Sequence, residues 1–184
     1  INRVPAAADG SVDNFGWPCY EGPARHDGWD ALNVKICEDL YAQGADAVSA
    51  PFLSYNHSFH PVAGDGCPTG GSAISGLAFY PRGPYPAAYD GALFFSDYAR
   101  KCIWSMRAGP DGIPDPSTVA PFASGAGNPV DLQTGPDGAL YSVDPWNGAV
   151  LRACVLHHGT KEEDIDAVLP AVRAAARALG PPSR

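Results

Sequence analysis

The chain has 184 residues, a formal net charge of −8, 21 Gly and 19 Pro, with 10% aromatic residues. An acidic surface repels polyanions and so argues against nucleic acid and anionic membrane as partners. No apolar run approaches the roughly 20 residues of a membrane span. In chain order, residues 1–48 hold one strand-like entry, a turn-rich segment over 14–23 and a short polar, helical stretch near 31–42. Residues 50–58 read as extended, and 64–71 as a Gly/Pro loop. Strands follow over 72–80, 92–97 and 102–107, the first two separated by a connection carrying Pro81, Pro84 and Pro86. After a Pro-Asp-Gly turn cluster at 108–116 come four more strands, over 121–125, 129–134, 139–144 and 149–156. Gly135-Pro136-Asp137-Gly138 turns the second of these into the third, because Pro presets φ and Gly accepts positive φ.

Part of this chain says the same thing twice. Asp90-Gly91-Ala92-Leu93-Phe94 is echoed by Asp137-Gly138-Ala139-Leu140-Tyr141, Asp97 by Asp144, and Ile103-Trp104 by Val150-Leu151, each pair 47 residues apart. Strand and turn-glycine repeating at about 40 to 50 residues is the sequence signature of β-propeller blades. One blade cannot bury both of its faces, so the repeat predicts that the chain is part of a larger ring. Asp90/Asp97 and Asp111-Gly112 read as turn residues, since the repeat copies the first pair at Asp137/Asp144. Trp17, Trp104 and Trp146 read as packing between blades, with sugar stacking as the alternative and Trp146, in the turn over 144–147, its best candidate.

Cysteine usage adds a compartment. Cys19, Cys37, Cys67 and Cys102 form no CxxC pair, and loop-rich acidic sequence favours two disulfides formed in a secreted or periplasmic setting, with buried free thiols as the alternative. We expect Cys19–Cys37 and Cys67–Cys102, one of three possible connectivities. Cys154 is then left over. All seven Phe, eight Tyr and four Trp precede His157, whereas residues 157–184 are Ala-rich and charge-balanced. Thr160-Lys161-Glu162-Glu163 is a capping box, and Ile165, Val168, Leu169, Val172, Ala176 and Leu179 recur at helical spacing, with Pro170 inside and Gly180-Pro181-Pro182 at the end.

Asn14-Phe15-Gly16-Trp17-Pro18, the stretch Ala73-Ile74-Ser75-Gly76-Leu77-Ala78-Phe79-Tyr80, and then Asp131-Leu132-Gln133-Thr134 running into Gly135-Pro136-Asp137-Gly138-Ala139-Leu140-Tyr141 come in a recognisable order. Over residues 1–153 this order resembles the glucose/sorbosone dehydrogenase-like proteins, six-bladed propellers whose soluble quinoprotein members oxidise sugars with pyrroloquinoline quinone (PQQ) and calcium. The resemblance implies an all-β fold, a partial six-bladed propeller of about three blades, with about the first half of the ring missing. It places Asp97, Arg100 and Asn128 on inner strand ends near the cofactor, and Phe15, as a carbonyl donor, with Asp27 near the structural calcium. Departures are marked. The family's base His lies in the missing half and is not matched by His26, His57 or His60; its cofactor Lys falls on Ala99, its two clamping Arg on Asn128 and Val130, and its Trp-Pro pair on Thr69-Gly70. A polyanionic quinone loses its bidentate partners by these changes.

The last 30 or so residues, from Leu151-Arg152-Ala153-Cys154 through His157-His158-Gly159-Thr160 to Glu162-Glu163-Asp164-Ile165-Asp166, resemble the end of a pyridoxal-phosphate-dependent decarboxylase or aminotransferase, without a lysine to carry that cofactor. Residues 154–184 therefore form a second segment, a strand end with an appended C-terminal α-helix. Two functions follow. The first is a PQQ-dependent aldose or sorbosone dehydrogenase, here incomplete, passing a hydride from sugar to quinone. The second is a non-enzymatic secreted propeller that binds carbohydrate or protein.

Overall fold

A computed structural model describes residues 1–4, 12–145 and the backbone of 150–153. The appended helix, Cys154 and Trp146 lie outside the described residues. The chain divides into two compact units, Ile1–Asn56 and His57–Arg184, so the boundary between units falls inside the expected 1–153 domain.

In the first unit the turn-rich segment runs into a short hairpin of β1 (Tyr20–Glu21) and β2 (Ala24–Arg25). Gly22, at φ 63°, occupies the first turn position, where only a residue without Cβ sits freely. A one-turn helix α1 (Asp27–Asp30) follows, then α2 (Lys35–Ala42) within the expected helical stretch. Cys37 and Tyr41, four residues apart, put one face of α2 inward. Cys37 is bonded to Cys19, and the Tyr41 hydroxyl donates to the Cys19 carbonyl at 2.9 Å. The Arg25 guanidinium lies 3.9 Å over the Tyr41 ring, so the hairpin and α2 close on one another. The 50–58 segment forms no strand ladder. Phe52 and Leu53 donate instead to the Ile1 carbonyl, and the Ile1 ammonium donates back to Leu53.

Antiparallel sheets dominate the second unit. Four strands run in chain order as a meander, β3 (Ile74–Phe79), β4 (Leu93–Asp97), β5 (Cys102–Met106) and β6 (Ala120–Ser124). A three-stranded meander follows, β7 (Asp131–Thr134), β8 (Leu140–Asp144) and β9 (Val150–Ala153). The seven strands of this unit fall on the seven read from the sequence, most of them shorter by a residue or more, β6 shifted by one, and residues 149 and 154–156 of the last lying outside the described residues. Neither sheet closes on itself, and no ring is present among the described residues.

Every residue of β4 and β5 is buried. Their period-2 alternation therefore has to satisfy two apolar faces rather than one. On one face Phe94 and Ile103 join Tyr80, Leu132 and Leu140 in a core between the two meanders. The Pro-rich connection contributes Tyr85 to that core, and its hydroxyl accepts from the Leu140 amide at 2.9 Å, tying the connection to β8. On the other face Phe95 stacks on Trp104 at 5.5 Å, and Cys102 is bonded to Cys67 in the preceding loop. Both disulfides thus follow the expected pairing.

Gly76 shows how closely β3 approaches β7. A Cβ there would sit 2.8 Å from the Leu132 nitrogen and from the Ser96 hydroxyl, and 2.9 Å from the Asp131 carbonyl carbon. Backbone cannot yield as a side-chain tip does. Gly76→Ala is expected to cost about 1–3 kcal/mol through forced separation of the sheets, read as a lower urea midpoint with an unchanged m-value.

Candidate functional site

The residues that the resemblance places on the cofactor are brought together, but as ties between strands. Asp97 ends β4 with its side chain wholly buried. Its Oδ1 accepts from the backbone amides of Ala73, Ala99 and Arg100 at 2.9, 2.9 and 3.0 Å, and its Oδ2 from the Ser72 hydroxyl at 2.6 Å. One carboxylate therefore fixes the approach to β3 and the turn from β4 into β5. Arg100, also 0% exposed, lies 3.8 Å from Asp97 Oδ2 through Nε and donates through Nη2 to the His57 carbonyl at 3.1 Å. Asn128 donates its backbone amide to Asp144 at 3.2 Å and its side-chain amide to the Tyr98 carbonyl at 3.3 Å. Asp144, the repeat partner of Asp97, likewise ends its strand buried and accepts from the amide of a residue just ahead of the neighbouring strand.

These side chains do not fit a polyanionic quinone. Its carboxylates need exposed, bidentate cations, whereas the Arg100 guanidinium is enclosed beside Asp97 and Asn128 is neutral and occupied. Calcium fares no better on the residues expected for it. Asp27 is exposed at the start of α1, Phe15 is half-buried ahead of the Trp17–Pro18 turn, and no group of three or more His, Cys, Asp or Glu side chains among the described residues gathers to hold a metal. A hard cation wants six to eight oxygens.

A second polar centre was not signalled by the sequence. Asp65, in the loop before β3, has a fully buried carboxylate under the Trp104 face of the sheet. It accepts from the Cys67 amide at 2.9 Å, from His60 Nδ1 at 2.7 Å and from the Trp104 indole N–H at 3.1 Å. Burial pushes the carboxyl up, but those hydrogen bonds outweigh it and hold Asp65 below the usual aspartate range. Three donors converging on an acceptor-only group mean that His60 presents a protonated Nδ1. Asp65 sits in a Gly-Asp-Gly loop and touches a residue 39 positions away. Neither a period nor a motif marks such a contact.

In the first unit, Trp17 is 70% exposed. It lines a cleft of about 350 Å³ together with Asn14, Pro18, Cys19, the α2 residues Ile36, Asp39 and Leu40, and Gln43 just after α2. His26 meets the Trp17 ring edge-on at 5.9 Å. His26 is itself fixed, accepting from the Gly28 amide at 3.1 Å and facing Glu21 at 3.4 Å. The Cys19–Cys37 bridge joins the two walls of the cleft. Within this chain the Trp17 ring is left largely uncovered, so the residue does not pack into the described core.

Comparison with protein-family models, curated proteins and solved structures finds no match for the chain.

Two outcomes follow from these geometries. Because the folded Asp65 carboxyl titrates below its unfolded value, its contribution is complete above about pH 3.9 and is lost as the pH falls through the lower folded value. Asp65→Asn should cost about 1–3 kcal/mol at neutral pH and flatten the acid limb of a melting-temperature profile measured from pH 6 to 2. Replacing Cys19 and Cys37 together by Ser opens an 18-residue separation and should remove about 3 kcal/mol, seen as a first-unit transition that reducing agent no longer shifts.

Proposed function

We propose that this chain is a secreted, disulfide-stapled piece of β-propeller type that binds a carbohydrate or protein partner and does not itself oxidise sugar. The observation that carries this reading is the complete burial of Asp97 and Arg100 in the strand-tying network. The side chains nearest to the cofactor position in the resemblance are used by the fold, and their charges are turned on one another. In this reading each meander is one blade, β3 to β6 and β7 to β9, and further blades of the ring lie outside this sequence. Two disulfides suit an oxidising compartment. Among the described residues no helix is long and apolar enough to cross a membrane.

Such a piece offers recognition surface rather than a reaction centre. An exposed indole beside hydrogen-bonding side chains is a binding device, since aromatic rings with a polar neighbour gain contact area at little entropic cost. The dehydrogenase reading makes the opposite demand, a water-exposed cationic clamp around the quinone. The test is dye reduction by the purified chain with added PQQ, calcium and a panel of aldoses. The expected result is no sugar-dependent reduction above the quinone blank, and no quinone absorbance retained after desalting. Sugar-dependent turnover that disappears in Arg100→Ala would overturn the reading.

A further inference from the structure

We propose that the cleft between Trp17 and α2 is a binding site for a neutral pyranose ring, an assignment that rests on the binding reading above and names its ligand. The volume of about 350 Å³ is at the small end of ligand pockets, about 300–1,000 Å³, and suits one or two sugar rings. A pyranose is amphipathic in a particular way. One face carries C–H groups that settle on the negative face of an aromatic ring, and its rim carries hydroxyls that both donate and accept.

The cleft has the matching parts. Trp17 supplies an exposed ring held upright by His26. Asp39, Gln43 and Asn14 supply acceptors and donors, and Leu40, half-buried, and Ile36, 67% exposed, add apolar surface for the C–H face of the ring. Part of the polar rim is already positioned: Asn14 Oδ1 accepts from the Gly16 amide at 2.9 Å, and the Gln43 side-chain amide donates to the Asp39 carbonyl at 2.9 Å. That leaves the Gln43 side-chain oxygen to accept from a hydroxyl. Pre-positioned groups lose little freedom on binding.

Charge selects a neutral ligand. Lys35 Nζ lies 2.6 and 2.8 Å from the two Asp39 oxygens, so the one carboxylate among the cleft's lining residues has a cation beside it at the exposed surface. The paired Asp39 offers a cationic peptide little, and the chain's overall charge of −8 opposes an anionic ligand.

The test is titration of the full chain with methyl β-D-glucopyranoside, methyl α-D-mannopyranoside and cellobiose, followed by indole fluorescence and calorimetry. A saturable fluorescence change is expected with at least one of these, weakened about tenfold or more in Trp17→Ala and only a few-fold in Trp17→Phe, as for loss and retention of a stacking ring. Gln43→Ala, at the exposed residue that follows α2, weakens binding while the chain stays folded by circular dichroism, which keeps the test decisive if Trp17→Ala unfolds. No saturable change with any probe, equal affinity in wild type and both cleft variants, or binding of an oligolysine peptide in place of the sugars would overturn the proposal. Failure of the binding reading is a separate event, since it shows as sugar-dependent dye reduction and not as loss of a fluorescence change.

Discussion

The second unit depends on one buried carboxylate. Asp97 collects three backbone amides and a hydroxyl, and they come in pairs from two pieces of local structure. Ser72 and Ala73 lead into β3, Ala99 and Arg100 turn β4 into β5, and Arg100 in turn reaches the His57 carbonyl at the start of the loop that covers the sheet. Burying a carboxylate without partners is prohibitive. Four donors make it a fastening instead, stronger than neutral hydrogen bonds would provide because the acceptor is charged.

The consequence is carried across the sheet. β4 and β5 are apolar on both faces, so each face needs its own cover. The second meander covers one, through Leu132 and Leu140. The loop running from His57 to Cys67 covers the other, and it is held at three places: Arg100 on the His57 carbonyl, Asp65 on the Trp104 indole, and Cys67 on Cys102. A loop has no ladder to satisfy its own backbone, so side-chain bonds and a covalent bridge do that work. Trp104 is where two of these requirements meet, its ring stacked on Phe95 and its N–H spent on Asp65.

What was legible in the sequence follows from which interactions are periodic. Strand positions, the two turn glycines Gly91 and Gly138 with φ of 73° and 78°, and the paired aspartates were all marked by a repeat, because each copy solves the same steric problem. The disulfides were legible because cysteine chemistry is restrictive. The Asp65 centre was not, since a single carboxylate under a single indole occurs once and leaves no pattern. Nor was the Trp17 cleft, for α2 and the Trp17–Pro18 turn are joined by a bridge that the sequence suggests, while the space that the bridge leaves open is a property of three dimensions. The segment over 50–58, read as extended, joins no sheet; Phe52 and Leu53 bond Ile1 instead.

Polar residues at inner strand ends are ambiguous by nature, since a ligand site and a strand fastening use the same residue types at the same positions. Exposure and the accounting of donors separate them. Asp97 and Arg100 are enclosed, and every donor counted onto Asp97 comes from the chain's own turns, so its charge is spent before any ligand arrives. Trp17 is the reverse: its edge is braced by His26 while most of its surface faces water. Leaving a large ring in water forfeits about 1.5–3 kcal/mol that burial of such a side chain would return. An occupant that buried the ring would regain it, whereas the charged pair in the second unit, already enclosed, has no such surface left to bury.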